Sequence, residues 1–166
     1  MRSARISLFH GANQPFEICE GRLYPSDVGE LLVRVNLATI CGSDLHTFVG
    51  RRACPIPCIL GHEAVGQVAE STKITDFNGY PLKEGDRITW SIISSCGTCL
   101  NCAYYQLPQK CEVLLKYGHA QRTIPRDLNG AFAQYIRLQP GTAVFRLPDS
   151  MINSDQFRSI VRFQLS

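Results

Sequence analysis

The sequence lacks three features that would each define a class of protein. Its 166 residues contain no uninterrupted apolar run near the roughly 18 residues that cross a bilayer. The first residues, MRSARISLFHG, lack the apolar region of a signal peptide. Basic residues exceed acidic ones by only 3, with 17 Lys and Arg against 14 Asp and Glu, and they are scattered along the chain. We therefore expect a cytoplasmic protein that binds neither membranes nor nucleic acid.

The composition also excludes disorder, collagen and coiled coil. Hydrophobic residues make up 45% of the chain and charged residues 19%, which is enough apolar material for one buried core. Segments rich in strand-forming residues, separated by Gly and Pro, lie at 5–9, 30–40, 63–70, 86–90 and 131–138. This spacing predicts a mainly β fold, a barrel or a sandwich, with helix confined to short turns.

Cysteine is abundant, with 8 residues, and the spacing of four of them indicates metal binding. The segment SCGTCLNCAYYQLPQKC contains Cys96, Cys99, Cys102 and Cys111. Four thiolates in one loop can close a tetrahedral zinc site, which holds the loop together without doing chemistry. Two disulfides would need an oxidising compartment, and no export signal is present. An iron–sulfur cluster is the rival metal, but its fourth cysteine usually follows at once, whereas eight residues separate Cys102 from Cys111 here.

A second group of possible metal ligands lies upstream of the four cysteines. Cys41 opens the segment CGSDLH, and about twenty residues later His62 and Glu63 follow a glycine in GHE. Mixed cysteine and histidine ligation is typical of a catalytic zinc that keeps one position open. From these residues alone, a buried free cysteine and a hydrogen-bonded histidine are the favoured explanation. The glycines of GHEAVG do not form a phosphate loop, because Gln67 stands where that loop needs lysine.

Taken in order, these segments resemble the zinc-containing medium-chain alcohol dehydrogenases. The resemblance spans residues 5–149 and rests on FHGANQPFEI, CGSDLHTFVGRR, LGHEAVGQV, PLKEGDRITW, the four-cysteine segment and GAFAQYIRLQPGTAVFRLPDS. Three segments, DLHTFVGRR, GDRITWSI and LPQKCEVLLKYGH, look most like the members proposed to act in phosphonate catabolism. The resemblance implies a GroES-like domain over residues 1–150, a twisted and partly open β-barrel with short helices, and a zinc-binding lobe at 94–118.

The resemblance also implies a role for each residue of the upstream group. Cys41 and His62 match two ligands of the catalytic zinc, and Glu63 matches the carboxylate that can approach the metal during ligand exchange. Asp44 matches the carboxylate that orients the histidine ligand. The four clustered cysteines match the ligands of a structural zinc.

Two further residues match the groups that handle the substrate proton. Ser43 matches the hydroxyl that accepts the hydrogen bond of the alcohol, and His46 matches the outer end of the relay that passes its proton to solvent. The activity implied is zinc-assisted alcohol oxidation or carbonyl reduction, with hydride transfer to or from NAD(P). The substrate implied is a small-molecule alcohol or aldehyde.

The chain departs from the family pattern in two places. The family usually has seven residues between the last two lobe cysteines, so the eight found here indicate an insertion near residues 103–106. No GxGxxG dinucleotide fingerprint occurs, and residues 151–166 form a divergent tail, so we expect truncation before a Rossmann domain. NAD(P) would then bind only if a nucleotide-binding domain is supplied elsewhere.

Two functions of different class follow from these departures. The first is the zinc-binding catalytic portion of an alcohol dehydrogenase that is inactive alone, with its catalytic zinc position empty or partly filled. The alternative is a non-catalytic zinc-binding module. In either case we expect the chain to form a homo-oligomer or to bind a partner chain, because the family buries one face of this domain against its second domain.

Overall fold

A computed structural model describes residues 2–72, 74–124 and 127–148. Within these residues the elements follow in chain order. They are β1 (Ser3–Phe9), β2 (Glu17–Arg22), β3 (Leu31–Ala38), α1 (Gly42–Phe48), β4 (Cys58–Ile59), β5 (Ala64–Ser71), β6 (Arg87–Ser94), α2 (Leu100–Ala103), a 3-10 helix (Pro108–Lys110), β7 (Leu115–Lys116), β8 (Tyr135–Leu138) and β9 (Thr142–Arg146). The mainly β fold with short helices is thus confirmed.

The strands form two antiparallel sheets that curl around the core. The small sheet has the order β2-β1-β4. The large sheet has the order β7-β6-β5-β3-β8, and β9 pairs with the same β6. The register of β3 against β5 shifts twice, after Leu32 and after Val35. Irregularities of this kind bend a strand and increase its twist, which favours the partly open barrel expected from the sequence.

One predicted strand is shorter than the sequence pattern indicates. Residues 131–138 alternate as a strand should, yet only Tyr135–Leu138 pairs with β3. The preceding residues join other partners: Ala131 N–H donates to Gly61 O, Phe132 N–H donates to Leu60 O, and Ala133 bridges to Ile6 of the small sheet. This segment crosses from one sheet to the other, so its first half cannot continue the β8 ladder.

The remaining predicted strands are present, and the large sheet continues beyond one of them. The segment 86–90 extends to Ser94 as β6, because β7 pairs with Ile93 and Ser94 and β9, which pairs with residues 88–90, pairs again at Ser94. Strands β2 and β9 were not predicted from the sequence. Both carry charged or polar residues on exposed positions, which weakens their hydrophobic signal.

The main core lies inside the large sheet and includes a buried tyrosine. Tyr117 is fully buried among Val33, Ile88 and Ile136. Its hydroxyl lies 2.7 Å from Thr142 Oγ1 and accepts the N–H of Gln139 at 2.7 Å. Burial raises the pKa of Tyr117 to about 12. The phenol therefore stays neutral and links the end of the lobe to the last strands.

A buried ion pair fixes β8 against the segment that leads into β3. Arg137 is 2% exposed and donates from Nη1 to Glu30 Oε2 at 3.1 Å. The same guanidinium donates to the carbonyl of Tyr24 and to Ser26 Oγ. Several partners thus replace the water that the two charges lose on burial.

Most of the expected domain 1–150 and all of its lobe fall within the described residues, whereas the divergent tail does not. The lobe at 94–118 contains α2, the 3-10 helix and β7. Residues 151–166 lie outside the described residues. Among the helices described, none has the length and apolar character needed to span a membrane.

Candidate metal centres

Helix α1 places the first of the upstream residues. Cys41 precedes the helix in extended conformation, and its backbone N–H donates to Asp44 Oδ2 at 2.9 Å. Asp44 is 2% exposed, and its other oxygen accepts the Gly61 N–H at 3.3 Å. One carboxylate therefore joins the start of α1 to the loop that carries His62.

The same carboxylate faces the His62 imidazole. Asp44 Oδ1 lies 3.4 Å from His62 Nδ1, a separation longer than an ordinary hydrogen bond. Burial favours a raised pKa for Asp44, but His62 and the N–H groups of Cys41 and Gly61 outweigh it and lower the pKa. Asp44 in turn raises the pKa of His62, against the opposing effect of burial. The carboxylate thus stays ionised and orients the ring.

The opposite side of the imidazole faces a cluster of possible metal ligands. Single donor atoms of Cys41, His62 and Glu63 all lie within 4.8 Å of one another. Ser43 Oγ lies 3.3 Å from His62 Nε2. Hydrogen bonds from Ser43, followed by one from His62, lower the pKa of Cys41 and favour its thiolate. Glu63 is exposed and accepts a hydrogen bond from Thr39 Oγ1 at 2.8 Å.

This donor set fits a zinc ion. A thiolate, an imidazole and a carboxylate are all ordinary zinc ligands, and three protein ligands leave a fourth position open. The buried Nδ1 of His62 has no hydrogen bond of normal geometry but faces Asp44, which leaves Nε2 directed towards Ser43. A ligand histidine usually has its other nitrogen turned to a carboxylate in this way.

His46 lies on the exposed side of α1, away from the buried carboxylate. Its backbone carbonyl accepts the N–H groups of Arg51 and Arg52, which closes the end of the helix. Within the described residues no hydrogen bond joins the His46 ring to Ser43 or His62. The relay role of His46 stays a prediction.

Two residues beside the cluster were missed by the sequence reasoning. The ring of His119 packs on the ring of His62, with centroids 4.8 Å apart and planes inclined by 37°. Arg52 Nη1 lies 3.5 Å from His119 Nε2. A signal was present: His119 follows a glycine, as His62 does, directly after the lobe. One Gly-His pair alone is too common to indicate a site.

The second ligand group lies in the lobe and consists of the four clustered cysteines. The sulfur atoms of Cys96, Cys99, Cys102 and Cys111 all lie within 4.8 Å of one another. Backbone N–H groups point at two of them: Thr98 and Cys99 donate to Cys96 Sγ, and Cys96 donates to Cys111 Sγ, at 3.3–3.4 Å. Such hydrogen bonds stabilise thiolates, and a group of thiolates favours the binding of a metal cation.

The thiol pKa values within the lobe are shifted in opposite directions, because the four sulfur atoms lie close together. The N–H of Cys99, helped by Thr98, lowers the pKa of Cys96 to about 6. The N–H of Glu112 contributes most to lowering the pKa of Cys99. Burial and then the neighbouring Cys99 sulfur raise the pKa of Cys102 to about 12. Without a cation four adjacent sulfurs cannot all ionise, and a bound zinc would remove that conflict.

The eight residues between Cys102 and Cys111 turn back without separating the sulfurs. Helix α2 begins after Cys99 and ends at Ala103, and the chain then turns at Gln106, whose φ is 53°. The 3-10 helix Pro108–Lys110 leads back to Cys111. The segment 103–106, where the sequence predicts an insertion, therefore lies in a turn of the loop that leaves the four sulfurs close together.

The partly open β-barrel thus carries a four-cysteine lobe and a separate group of cysteine, histidine and carboxylate. The sequence model of the alcohol dehydrogenase GroES-like domain matches residues 27–149. The chain belongs to this family, and the resemblance seen in the sequence is confirmed.

Individual relatives agree with this assignment. The chain is 35% identical over 153 residues to 5-exo-hydroxycamphor dehydrogenase of Pseudomonas putida, covering 90% of this chain and 40% of that protein. It is 31% identical over 137 residues to zinc-type alcohol dehydrogenase B of Aspergillus flavus, covering 81% and 29%. The crystal structure of an alcohol dehydrogenase from Thermotoga maritima matches with a TM-score of 0.82 at 33% identity, covering 90% and 42%. The chain thus spans between 29% and 42% of the length of these relatives.

Proposed function

We propose that this chain is the zinc-binding, substrate-side portion of an NAD(P)-dependent alcohol dehydrogenase. The observation that carries the proposal is the convergence of Cys41, His62 and Glu63 donor atoms within 4.8 Å, beside the Ser43 hydroxyl. The substrate class is a small-molecule alcohol or aldehyde, by analogy with the relatives. Cys96, Cys99, Cys102 and Cys111 hold a second zinc that stabilises the lobe.

The protein groups around the first site have separate tasks. A zinc ion bound there would act as a Lewis acid on the substrate oxygen. Ser43 Oγ accepts the hydrogen bond of the substrate hydroxyl, and its position is fixed because Thr47 Oγ1 donates to the Ser43 carbonyl at 3.0 Å. Asp44 holds the His62 ring. His46, exposed one turn along α1, exchanges the proton with solvent.

Hydride transfer needs a nicotinamide held about 3.5 Å from the reacting carbon. The 166 residues contain no GxGxxG fingerprint, so we propose that they do not oxidise alcohols alone. A nucleotide-binding domain, in the same polypeptide or in a partner chain, would complete the enzyme. Titration of the chain with NAD+ and with NADP+ is expected to show no binding. Turnover of a primary alcohol by the chain alone would contradict this expectation.

The decisive measurement of the first site is zinc stoichiometry. We expect one tightly held zinc per chain in the lobe and a second, weaker one at Cys41 and His62. The variant Cys41→Ser should lose the weaker zinc and keep the tight one. Cys19→Ser is the matched control, since Cys19 lies in β2 and in neither ligand group. If Cys41→Ser and Cys19→Ser bind zinc alike, the assignment of the first site is wrong.

A non-catalytic zinc-binding module is the second candidate function. One observation supports the association expected of such a module: the neighbouring rings of Phe77 and Phe145, with centroids 5.1 Å apart, belong to residues that are 68% and 37% exposed. Exposed aromatic clusters promote association. We propose that the chain self-associates or pairs with a partner chain through this face. Sedimentation of a clean monomer at high concentration would contradict the self-association, and loss of both zinc ions without loss of structure would contradict the module.

A further inference from the structure

Two cysteines outside both ligand groups lie side by side at the edge of the His62 site. Cys54 is in the loop that follows α1, and Cys58 begins β4. Their sulfur atoms are 3.4 Å apart. Cys58 is fully buried in the cluster that contains Phe9 and Leu60, whereas Cys54 is partly exposed.

The surroundings of Cys54 connect it to the histidine beside the metal site. Its sulfur lies 3.8 Å from the carbonyl oxygen of His119, and the Arg52 guanidinium lies 3.5 Å from the ring of the same histidine. His119 in turn packs on His62. His119 therefore contacts both Cys54 and the proposed metal ligand His62.

The pair has too few donors to be a metal site. Among the described residues, groups of three or more close donor atoms are found only in the lobe and at Cys41, His62 and Glu63. Neither group includes Cys54 or Cys58. Two thiols in contact without a third ligand are better suited to sulfur–sulfur chemistry.

We propose that Cys54 and Cys58 form a redox-active pair that closes reversibly into a disulfide when the chain meets a hydroperoxide. The proposal rests on the 3.4 Å separation of the two sulfur atoms and on the contrast between partly exposed Cys54 and buried Cys58. Closure needs the sulfurs to approach by little more than 1 Å, to the roughly 2.05 Å of a disulfide. It does not depend on the proposed dehydrogenase function.

The reaction balances with hydrogen peroxide as the oxidant. The Cys54 thiolate attacks one peroxide oxygen, the O–O bond breaks, and the leaving hydroxide takes up a proton to become water. The Cys58 sulfur then attacks the sulfur of the Cys54 sulfenic acid. The S–S bond forms, the S–O bond breaks, and the departing hydroxide combines with the Cys58 proton as a second water. Two electrons pass from the two thiols to the peroxide, and an external dithiol returns them.

The environment assigns the order of the two steps. A hydrogen bond from Cys58, aided by His119 and Arg52, lowers the pKa of Cys54 to about 5 against the effect of burial. The contact with Cys54 and burial both raise the pKa of Cys58. Cys54 is thus the exposed thiolate that reacts with oxidant, and Cys58 is the buried thiol that resolves the sulfenic acid.

The sequence allows this reaction to be followed on a single tryptic peptide. Trypsin cleaves after Arg52 and Lys73, and the peptide 53–73 (ACPIPCILGHEAVGQVAESTK) contains both cysteines and no other. The zinc-loaded chain is treated with hydrogen peroxide, alkylated with iodoacetamide and digested. The expected peptide is about 2 Da lighter than its reduced form and carries no alkyl group. Dithiothreitol before alkylation should restore two alkylated cysteines.

Single variants separate the two roles. Cys58→Ser should leave a sulfenic acid on Cys54 that dimedone traps, and Cys54→Ser should leave Cys58 as an unreacted thiol. Cys19→Ser is the matched control and should oxidise at Cys54 and Cys58 like the parent chain. The proposal is overturned if the parent peptide 53–73 keeps two alkylatable thiols after peroxide, or if Cys54 proceeds to a sulfinic acid with Cys58 still free.

Discussion

A Cβ atom on Gly118 would lie 2.6 Å from the carbonyl oxygen of Gly61, so the two loops that carry His119 and His62 touch through their backbones. Gly118 has a φ of 72° and donates its N–H to Asn129 O at 2.7 Å. Gly61 has a φ of 86°. The contact between these glycines determines how closely the two imidazole rings approach each other.

Replacement of Gly118 by alanine should therefore destabilise the chain by more than the strain of an alanine at positive φ, because the methyl group also overlaps Gly61. An alanine at a positive φ lowers the free energy of unfolding by about 1 kcal/mol. A methyl group that overlaps neighbouring backbone atoms lowers it by roughly 1–3 kcal/mol more. Gly79→Ala is the matched control, because Gly79 has a φ of 86° but no atom within 4 Å of the place its methyl group would take. Urea unfolding of both variants measures the difference. Equal losses of unfolding free energy would show that the loops can separate without cost.

The buried pair of Arg137 and Glu30 leads to a second prediction. Arg137→Ala leaves a carboxylate buried without its main partner, which should lower the free energy of unfolding by about 3–5 kcal/mol. Arg146→Ala is the control, since Arg146 Nε lies 3.9 Å from Asp86 in a partly exposed pair worth at most about 1 kcal/mol. Thermal and urea unfolding check both values. If the two variants lost similar amounts of unfolding free energy, burial of the ion pair would not determine the size of the loss.

The sequence allowed the fold class and both ligand groups to be predicted, but not the contacts between loops. The cysteine spacing of the lobe is local, so a turn of a few residues already brings its sulfurs together. Cys41 and His62 were grouped from their residue types, but only the family resemblance favoured their meeting at one metal site, since about twenty residues and β4 separate them. His119 and Arg52 were missed because their contacts, with His62 and with His119, join residues 57 and 67 positions apart through tertiary packing. The first half of the predicted strand 131–138 was wrong for the same reason.

Asp44 gives a prediction that tests the orientation of His62. Asp44→Asn removes the charge facing His62 Nδ1 but keeps the shape of the side chain. We expect the zinc affinity of the Cys41 and His62 site to fall about 10-fold to 100-fold, while the lobe keeps its zinc. Asp76→Asn is the control, because Asp76 is also buried but its carboxylate accepts the N–H groups of Asn78 and Tyr80 in a separate turn. Zinc titration in the presence of a competing chelator measures both. Unchanged zinc affinity in Asp44→Asn would show that Asp44 plays no part in zinc binding at this site.

The ionisation of Cys54 predicts an unusual pH profile of alkylation. The thiolate is the reactive form, and the pKa of Cys54 is lowered to about 5, chiefly by the hydrogen bond from Cys58. The iodoacetamide rate at Cys54 should therefore be flat from about pH 6 to 8 and fall only below that range. Cys19 is the internal reference, because burial raises its pKa, and its rate should rise steadily over the same range. Parallel profiles for the two cysteines, followed by mass spectrometry of their peptides, would contradict the assigned thiolate.

The lobe supplies the last prediction, since metal binding and folding are coupled there. Cys99→Ser removes one of four sulfurs that lie within 4.8 Å, and three ligands cannot close a tetrahedral site. We expect the tight zinc to be lost and the melting temperature to fall to that of the chelator-treated parent chain, because the binding free energy of a structural zinc contributes directly to folding. The parent chain should contain zinc and show no visible iron–sulfur absorption. Cys19→Ser controls for the loss of a thiol elsewhere. Elemental analysis that finds no zinc in the parent chain, or equal zinc in Cys99→Ser, would mean that the four sulfurs are not a metal site.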